Sequence, residues 1–493
     1  MSKNEDGKRA KADDARSTGP TGDIPACWRQ PEWRQGFRRR LLSWFARQRR
    51  DLPWRRTKDP YAIWVSEIML QQTQTPTVVR YFERFLAAFP TVEALAQADQ
   101  AEVLRLWEGL GYYRRAVLLH QAAQKIVSDF GGQFPKTVEQ LLQLPGIGRY
   151  TAGAILSIAF DQRRPILEAN TSRLWARLLA YPEPVGSASA QRLLWYMAEC
   201  ILPRRRVGQF NQALMELGST VCLPRQPRCR ECPVSRFCLA FQKGIQENLP
   251  RQRPKPAIEF YQEAALIVRH NDRVFLRRIA EGERWAGLWD FPRFTFPPEL
   301  ADQLDHMQSS APKQAWLFPL SSEQPSTISQ DRADSPTGNP LSSCARLPTA
   351  WPVRRSRKTA SSSALTDTVP PVVEDFLTRQ MRADTGILVR PVRQLTTIRY
   401  AVTRYRVCMH CYEAEYVGLA DQAEKTTKPW EGARLERSGD GLDQAAQSGG
   451  GFQWVGLDAL EKLPMSSPAR KLACFVQTSS VNALKGKASQ RRT

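Results

Sequence analysis

Four cysteines, Cys222, Cys229, Cys232 and Cys238, fall within 17 residues in the spacing C-x6-C-x2-C-x5-C. No other feature limits so strongly what this chain can become. Thiolates this close together are soft ligands, and the short loops between them, bent by Pro224 and Pro233, can wrap a compact metal centre. A zinc ribbon usually shows two C-x2-C knuckles, whereas only one pair is short here, so an iron–sulfur centre is favoured over structural zinc. The N-terminus lacks the apolar core of a signal peptide, and no run approaches the ~20 apolar residues of a membrane span. A reducing, cytoplasmic setting is therefore expected, in which the ten cysteines act as ligands or packed thiols rather than disulfides. Cys408 and Cys411 lie in an alternating segment and read as packed strand residues.

With 493 residues the chain should form more than one domain. Residues 31–248 carry helical periodicity, with Asp59-Pro60 reading as a capped helix start. A proline-broken basic linker follows at 249–257, and beyond it the period changes to two. His270-Asn-Asp-Arg273 reads there as a hairpin turn. The expected divisions are a disordered basic tail over 1–30, the helical domain over 31–248, and an α+β domain over 258–298 and 371–478. A disordered Ser/Pro-rich insertion is expected over 299–370 and a basic tail over 479–493. The net charge of +22 calls for a polyanionic partner. Arginines between 29 and 56 interleave with Trp28, Trp33, Trp44 and Trp54, a pattern that suits nucleic acid better than a membrane surface.

The turn Leu144-Pro-Gly-Ile-Gly-Arg-Tyr-Thr-Ala152 joins two helices through Gly146 and Gly148, and glycine lets backbone N–H groups approach a phosphate. With the segment Glu168-Ala-Asn170 and the four-cysteine loop, it resembles the endonuclease III superfamily of helix–hairpin–helix glycosylases. Val65-Ser-Glu-Ile-Met-Leu-Gln-Gln-Thr-Gln74 and Gly109-Leu-Gly-Tyr-Tyr-Arg114 look like the MutY-type adenine DNA glycosylases within it. The resemblance implies an all-helical glycosylase domain with one 4Fe-4S cluster and then a Nudix-like α+β domain. It also implies a monomeric enzyme of cytoplasmic, nucleoid-associated DNA that excises adenine opposite 8-oxoguanine or guanine.

Glu67 sits mid-helix among Trp64, Val65, Ile68 and Met69, where desolvation should keep its carboxyl protonated near neutrality. By the resemblance it protonates the ring nitrogen of adenine. Glu168 precedes a helix start, where oriented N–H groups favour an anion, so it should stay ionised and face the cationic sugar. The family usually has aspartate at this place. Members that also nick DNA carry a lysine where Tyr150 stands, and a phenol cannot form an imine with the sugar, so lyase chemistry should be absent or slight. Asn170 and Tyr150 match positions near the sugar and the attacking water. Trp54, Arg55 and Gln212 match the adenine pocket, while Leu70, Gln72 and Tyr112 match residues that enter the duplex.

Trp285-Ala-Gly-Leu-Trp-Asp-Phe-Pro292 resembles the Nudix-like domain of the same family. The segment Glu374–Gly386 lacks the adjacent glutamates that hold magnesium, so recognition is expected rather than nucleotide hydrolysis. The family reads 8-oxoguanine with a Phe-Ser-His loop. Val402-Thr403-Arg404 stands there instead, leaving Thr403 to supply a hydroxyl. Two alternatives are a glycosylase for another mismatched base and a non-catalytic iron–sulfur DNA-binding protein.

Overall fold

The computed structural model describes residues 24–251, 257–307, 368–420 and 451–490. Asp59 caps the helix Pro60–Leu70 as expected, its carboxylate accepting from the N–H groups of Tyr61 (3.0 Å) and Ala62 (3.2 Å). Every residue from Tyr61 to Met69 on this helix is buried. A helix apolar on all sides has no solvated face and must run through the middle of a domain. One core of the helical part is built from residues between Leu52 and Leu156. A second joins Ile24–Phe45 to residues between Leu167 and Leu249. The helix Arg149–Phe160 packs on both Pro60–Leu70 and Val207–Thr220, so the seam between the cores is lined by these three helices.

The second part is a seven-stranded sheet in the order β3–β2–β1–β6–β5, with β4 paired to β1 and β7 to β2. Its strands are β1 Glu259–His270, β2 Arg273–Arg278, β3 Trp289–Asp290, β4 Arg293–Thr295, β5 Ile387–Val402, β6 Tyr405–Leu419 and β7 Phe452–Gly456. The expected hairpin is present: His270 pairs with Arg273 across Asn271 and Asp272. Helices Pro298–Met307 and Pro371–Thr385 cover one face of the sheet, and the start of Ser467–Gln490 covers the other. Cys408 and Cys411 are buried in β6, as packed strand residues should be.

Three expected boundaries need correction. Residues Ala26–Arg29, assigned to the tail, form a helical turn, because Trp28 packs edge-on against Phe37 (5.3 Å) and Trp175 (5.7 Å) and is only 1% exposed. The start of the expected insertion is the helix Pro298–Met307, whose Leu300 and Leu304 enter the sheet's core. The last helix runs through the boundary at 478 to Gln490. The rest of the N-terminal tail, most of the insertion (308–367) and residues 491–493 lie outside the described residues.

Contacts between the two parts are specific. Ile279, Leu288 and Trp285 pack into the first helical core. Arg470 holds both carboxylate oxygens of Glu108 (Nε to Oε1 2.6 Å, Nη2 to Oε2 3.0 Å). The Tyr113 hydroxyl donates to the Met465 carbonyl (3.2 Å). No helix of the described residues is long and apolar enough to cross a membrane.

Candidate active site

Glu67 is 5% exposed, on the face of its helix that meets Tyr150 and Met215. Burial pushes its carboxyl up to about 7. The Tyr150 hydroxyl donates to Oε2 at 2.6 Å and pulls the other way, as does the charge of Arg55, while the charge of Glu168 adds to the rise. No partner meets Oε1 among the described residues, which leaves that oxygen to carry the proton. The Tyr150 phenol is itself raised well above its ordinary value, first by burial and then by the two carboxylates, so it remains a neutral donor.

Glu168 is the N-cap of the helix Ala169–Leu178. Its oxygens accept from the backbone N–H of Asn170 (2.7 Å) and Thr171 (2.8 Å), and the Thr171 hydroxyl accepts in return from the Glu168 N–H (2.8 Å), completing a capping box. Burial pushes this carboxyl up against those N–H groups, and the balance lies above the ordinary carboxylate value. The helix terminus therefore opposes desolvation without cancelling it, which corrects the expectation of an anion simply held by the cap. Both oxygens nonetheless accept N–H donors, the bonding pattern of the ionised form. The Glu168 side chain is thus folded back onto the first turn of its own helix.

Asn170 is fixed by Arg173, which donates to Asn170 Oδ1 (2.8 Å) and to the carbonyls of Gly218 (2.7 Å) and Cys222 (2.9 Å). Gly218 permits this packing, since a Cβ there would lie 2.9 Å from Asn170 Cβ. One turn on, Arg177 is fully buried and donates to Cys222 Sγ (3.3 Å), Leu223 O (2.6 Å), Pro224 O (3.1 Å) and Leu249 O (2.9 Å). Cys222, Cys229, Cys232 and Cys238 line one cavity below these arginines and form no disulfide. Burial, with the neighbouring thiols, pushes Cys232 up to about 12 and Cys238 up to about 11. Among the described residues no three ligand side chains close on a single ion. The thiols surround a shared space instead.

The residues expected at the adenine pocket are arranged unevenly. Arg55 donates to Glu216 Oε2 (2.7 Å), joined by Arg50 (2.8 Å). Burial would raise Glu216, but these guanidinium groups bring it down to about 2. Trp54 is nearly buried and edge-on to Phe82 at 5.5 Å, a wall rather than a free platform. Gln212 is half-buried, one turn before Met215 and Glu216 on the same helix.

Gln72 and Tyr112 both adopt positive φ (57° and 48°), and Tyr112 is 49% exposed. Half-buried Leu70 ends the helix that leads to Gln72. Arg115 ties the two loops together: it donates to the carbonyls of Ile68 (2.8 Å), Met69 (3.0 Å) and Gln71 on one side and Gly111 (3.1 Å) on the other. At the hairpin, Gly146 has φ 76° and a Cβ would meet Leu118 Cβ at 3.0 Å, so glycine is required. Gly148 has an extended backbone with open space around it, so its value lies in access. Thr403 is at the tip of the β5–β6 hairpin, where its hydroxyl donates to its neighbour Val402 O (2.7 Å) and Arg404 pairs with Glu259 (3.0 Å). No hydrogen bond among the described residues joins this tip to Glu67.

Sequence reasoning missed Arg50, Arg115, Arg173, Arg177 and Glu216. Only Arg173 and Arg177 left a signal, two arginines four residues apart on the helix that Glu168 begins.

The helical part thus carries a glycine hairpin, a buried Glu67 near the half-buried Glu168, and a thiol-lined cavity, and comparison with known proteins gives its class. A family profile described as "HhH-GPD superfamily base excision DNA repair protein" matches residues 65–198. The adenine DNA glycosylase of Rattus norvegicus is 47% identical over 242 residues, covering 47% of this chain and 46% of that protein. The adenine DNA glycosylase of Mus musculus is 37% identical over 336 residues, covering 58% of this chain and 65% of that protein. That of Buchnera aphidicola subsp. Schizaphis graminum is 36% identical over 259 residues, covering 52% of this chain and 75% of that protein. The chain belongs to the adenine DNA glycosylase family. Its match spans about half the length of the rat relative.

Proposed function

We propose that this chain is a monofunctional DNA glycosylase that hydrolyses the N-glycosidic bond of adenine mispaired with 8-oxoguanine or guanine. The observation that carries this reading is Glu67: a buried carboxyl pushed up to about 7, hydrogen-bonded by Tyr150 and close enough to Glu168 to feel its charge. Glu67 gives its proton to a ring nitrogen of the flipped adenine, turning the base into a neutral leaving group. Glu168, with Asn170 beside it, faces the positive charge that grows on the sugar. Water then completes the hydrolysis. Tyr150 supplies no amine, so no imine with the sugar forms and the backbone stays intact.

Trp54, Arg55 and Gln212 bound the base, while Leu70, Gln72 and Tyr112 hold the gap in the duplex open. Gly146 and Gly148 bring backbone N–H groups to phosphate. The sheet-containing part acts as a Nudix-like recognition domain with Thr403 at its reading loop, and the chain works as a monomer on cytoplasmic, nucleoid-associated DNA. Four thiols around a shared cavity, beside a buried guanidinium, suit a 4Fe-4S cluster held by Cys222, Cys229, Cys232 and Cys238. When bound, that cluster supplies a structural anchor that fixes the surrounding loop.

The test is a duplex containing adenine opposite 8-oxoguanine or guanine. Strand breaks should arise only after alkali, and direct nicking through a borohydride-trapped adduct would overturn the proposal. Tyr150→Phe sharpens it. The hydrogen bond removed is one that lowers Glu67, so the acid form should persist to higher pH. The alkaline limb of the single-turnover pH–rate profile should move upward, and an unmoved limb would remove Tyr150 from control of Glu67.

A further inference from the structure

On the helical part, away from the glycine hairpin, a cavity of about 320 Å3 is lined by Arg34, Arg38, Arg163, Arg204 and Cys200. Three separate segments supply the guanidinium groups. Arg34 and Arg38 lie one turn apart on the helix Pro31–Gln48, Arg163 follows the helix Arg149–Phe160, and Arg204 lies between Ala188–Cys200 and Val207–Thr220. No carboxylate is ion-paired with any of the four among the described residues. Like charges instead face each other: the Arg38 guanidinium is held below its ordinary value by burial and then by the charges of Arg34 and Arg163.

Part of this arrangement is a helix C-cap. Arg38 donates to Ile201 O (2.6 Å) and Cys200 O (3.2 Å), and Arg163 donates to Glu199 O (3.1 Å). That accounts for neither Arg204 nor Arg34. Arg34 spends one nitrogen on Arg29 O (3.1 Å), while its buried Nε has no partner among the described residues. A guanidinium carries five donors, so most of those around the cavity remain for a ligand.

We propose that this cavity binds a phosphate group, as a site separate from the glycine hairpin. Arg163 lies beyond the far end of the 12-residue helix that the hairpin begins, a length of about 18 Å. The ligand is thus a phosphate the hairpin does not itself hold, either on the flanking duplex backbone or on a small phosphorylated solute. Planar, forked donors from several directions match its tetrahedral oxygens.

The test uses the full chain and the double charge reversal Arg163→Glu with Arg204→Glu. Both residues are exposed and outside the catalytic machinery, and an unchanged thermal melt controls for folding. Arg204→Gln serves as the milder variant should the double variant fail to fold. Pyrophosphate binding is measured by calorimetry, and affinity for an undamaged duplex is measured across salt concentrations. A free-solute site predicts pyrophosphate binding that weakens at least about tenfold in the variant, with the duplex salt slope intact. A backbone site predicts a log–log salt slope shallower by about 0.9 for each phosphate the variant no longer neutralises, with no pyrophosphate binding. Changes in both arms mean that the site takes both sources. If the variant matches the parent in both measurements, the proposal fails.

Discussion

Replacing Glu67 by Gln should abolish adenine release, with a loss of at least about a hundred- to ten-thousand-fold from general acid catalysis alone, while duplex binding persists. Glutamine keeps the shape and can still accept from the Tyr150 hydroxyl, but it has no proton to give. The wild-type rate should fall as pH rises through about 7, because that is where Glu67 loses its proton. Stability should move the opposite way between the two proteins. The folded carboxyl titrates above its unfolded value, so its contribution is full below about 4.5 and is lost as pH rises toward 7. At pH 8 the wild type must hold a buried charge that the glutamine variant lacks, and the variant should be more stable by on the order of 3 kcal/mol. The difference should vanish near pH 4. Single-turnover excision and thermal melts at both pH values check the pair of claims, and an unchanged excision rate removes Glu67 from the chemistry.

The second large effect concerns the thiol cavity. Burial and mutual repulsion disfavour thiolates at Cys232 and Cys238, so these residues gain most from a cationic centre. Between Val221 and Leu249 the chain has only three short helical turns, at Ser235–Phe237, Leu239–Gln242 and Gln246–Asn248. Yet Val234, Phe237, Ala240 and Leu249 all belong to the second helical core. Cys232→Ser should therefore bleach the yellow-brown colour, lower the iron content and destabilise the helical part by more than about 4 kcal/mol. Iron and sulfide analysis with visible absorption checks this. A colourless parent protein carrying stoichiometric zinc would refute the iron–sulfur assignment.

What is legible in the sequence is local. The Asp59 cap, the hairpin at 270–273 and the burial of Glu67 follow from neighbours along the chain, because periodicity and capping are short-range. What escapes depends on distant partners. Glu216 meets Arg50 across 166 positions, and nothing near either residue announces the pair. Trp28 looks like part of a charged tail because the aromatic rings that bury it, Phe37 and Trp175, come from other helices. Arg177 is buried only because the Cys222 loop, 45 positions further along the chain, closes over it. Leu300 and Leu304 belong to a helix whose sequence runs straight into a low-complexity stretch. Glu168 is legible as a cap, but the competing cost of its burial depends on the fold around it.

The bond between Glu108 and Arg470, with that between Tyr113 and Met465, brackets the short loop carrying Tyr112. The peptide linker is therefore not all that unites the two halves of the molecule. Cutting the chain within residues 252–256 would sever the tether yet leave these fasteners in place, so the loop carrying Tyr112 would still be held by the sheet-containing half.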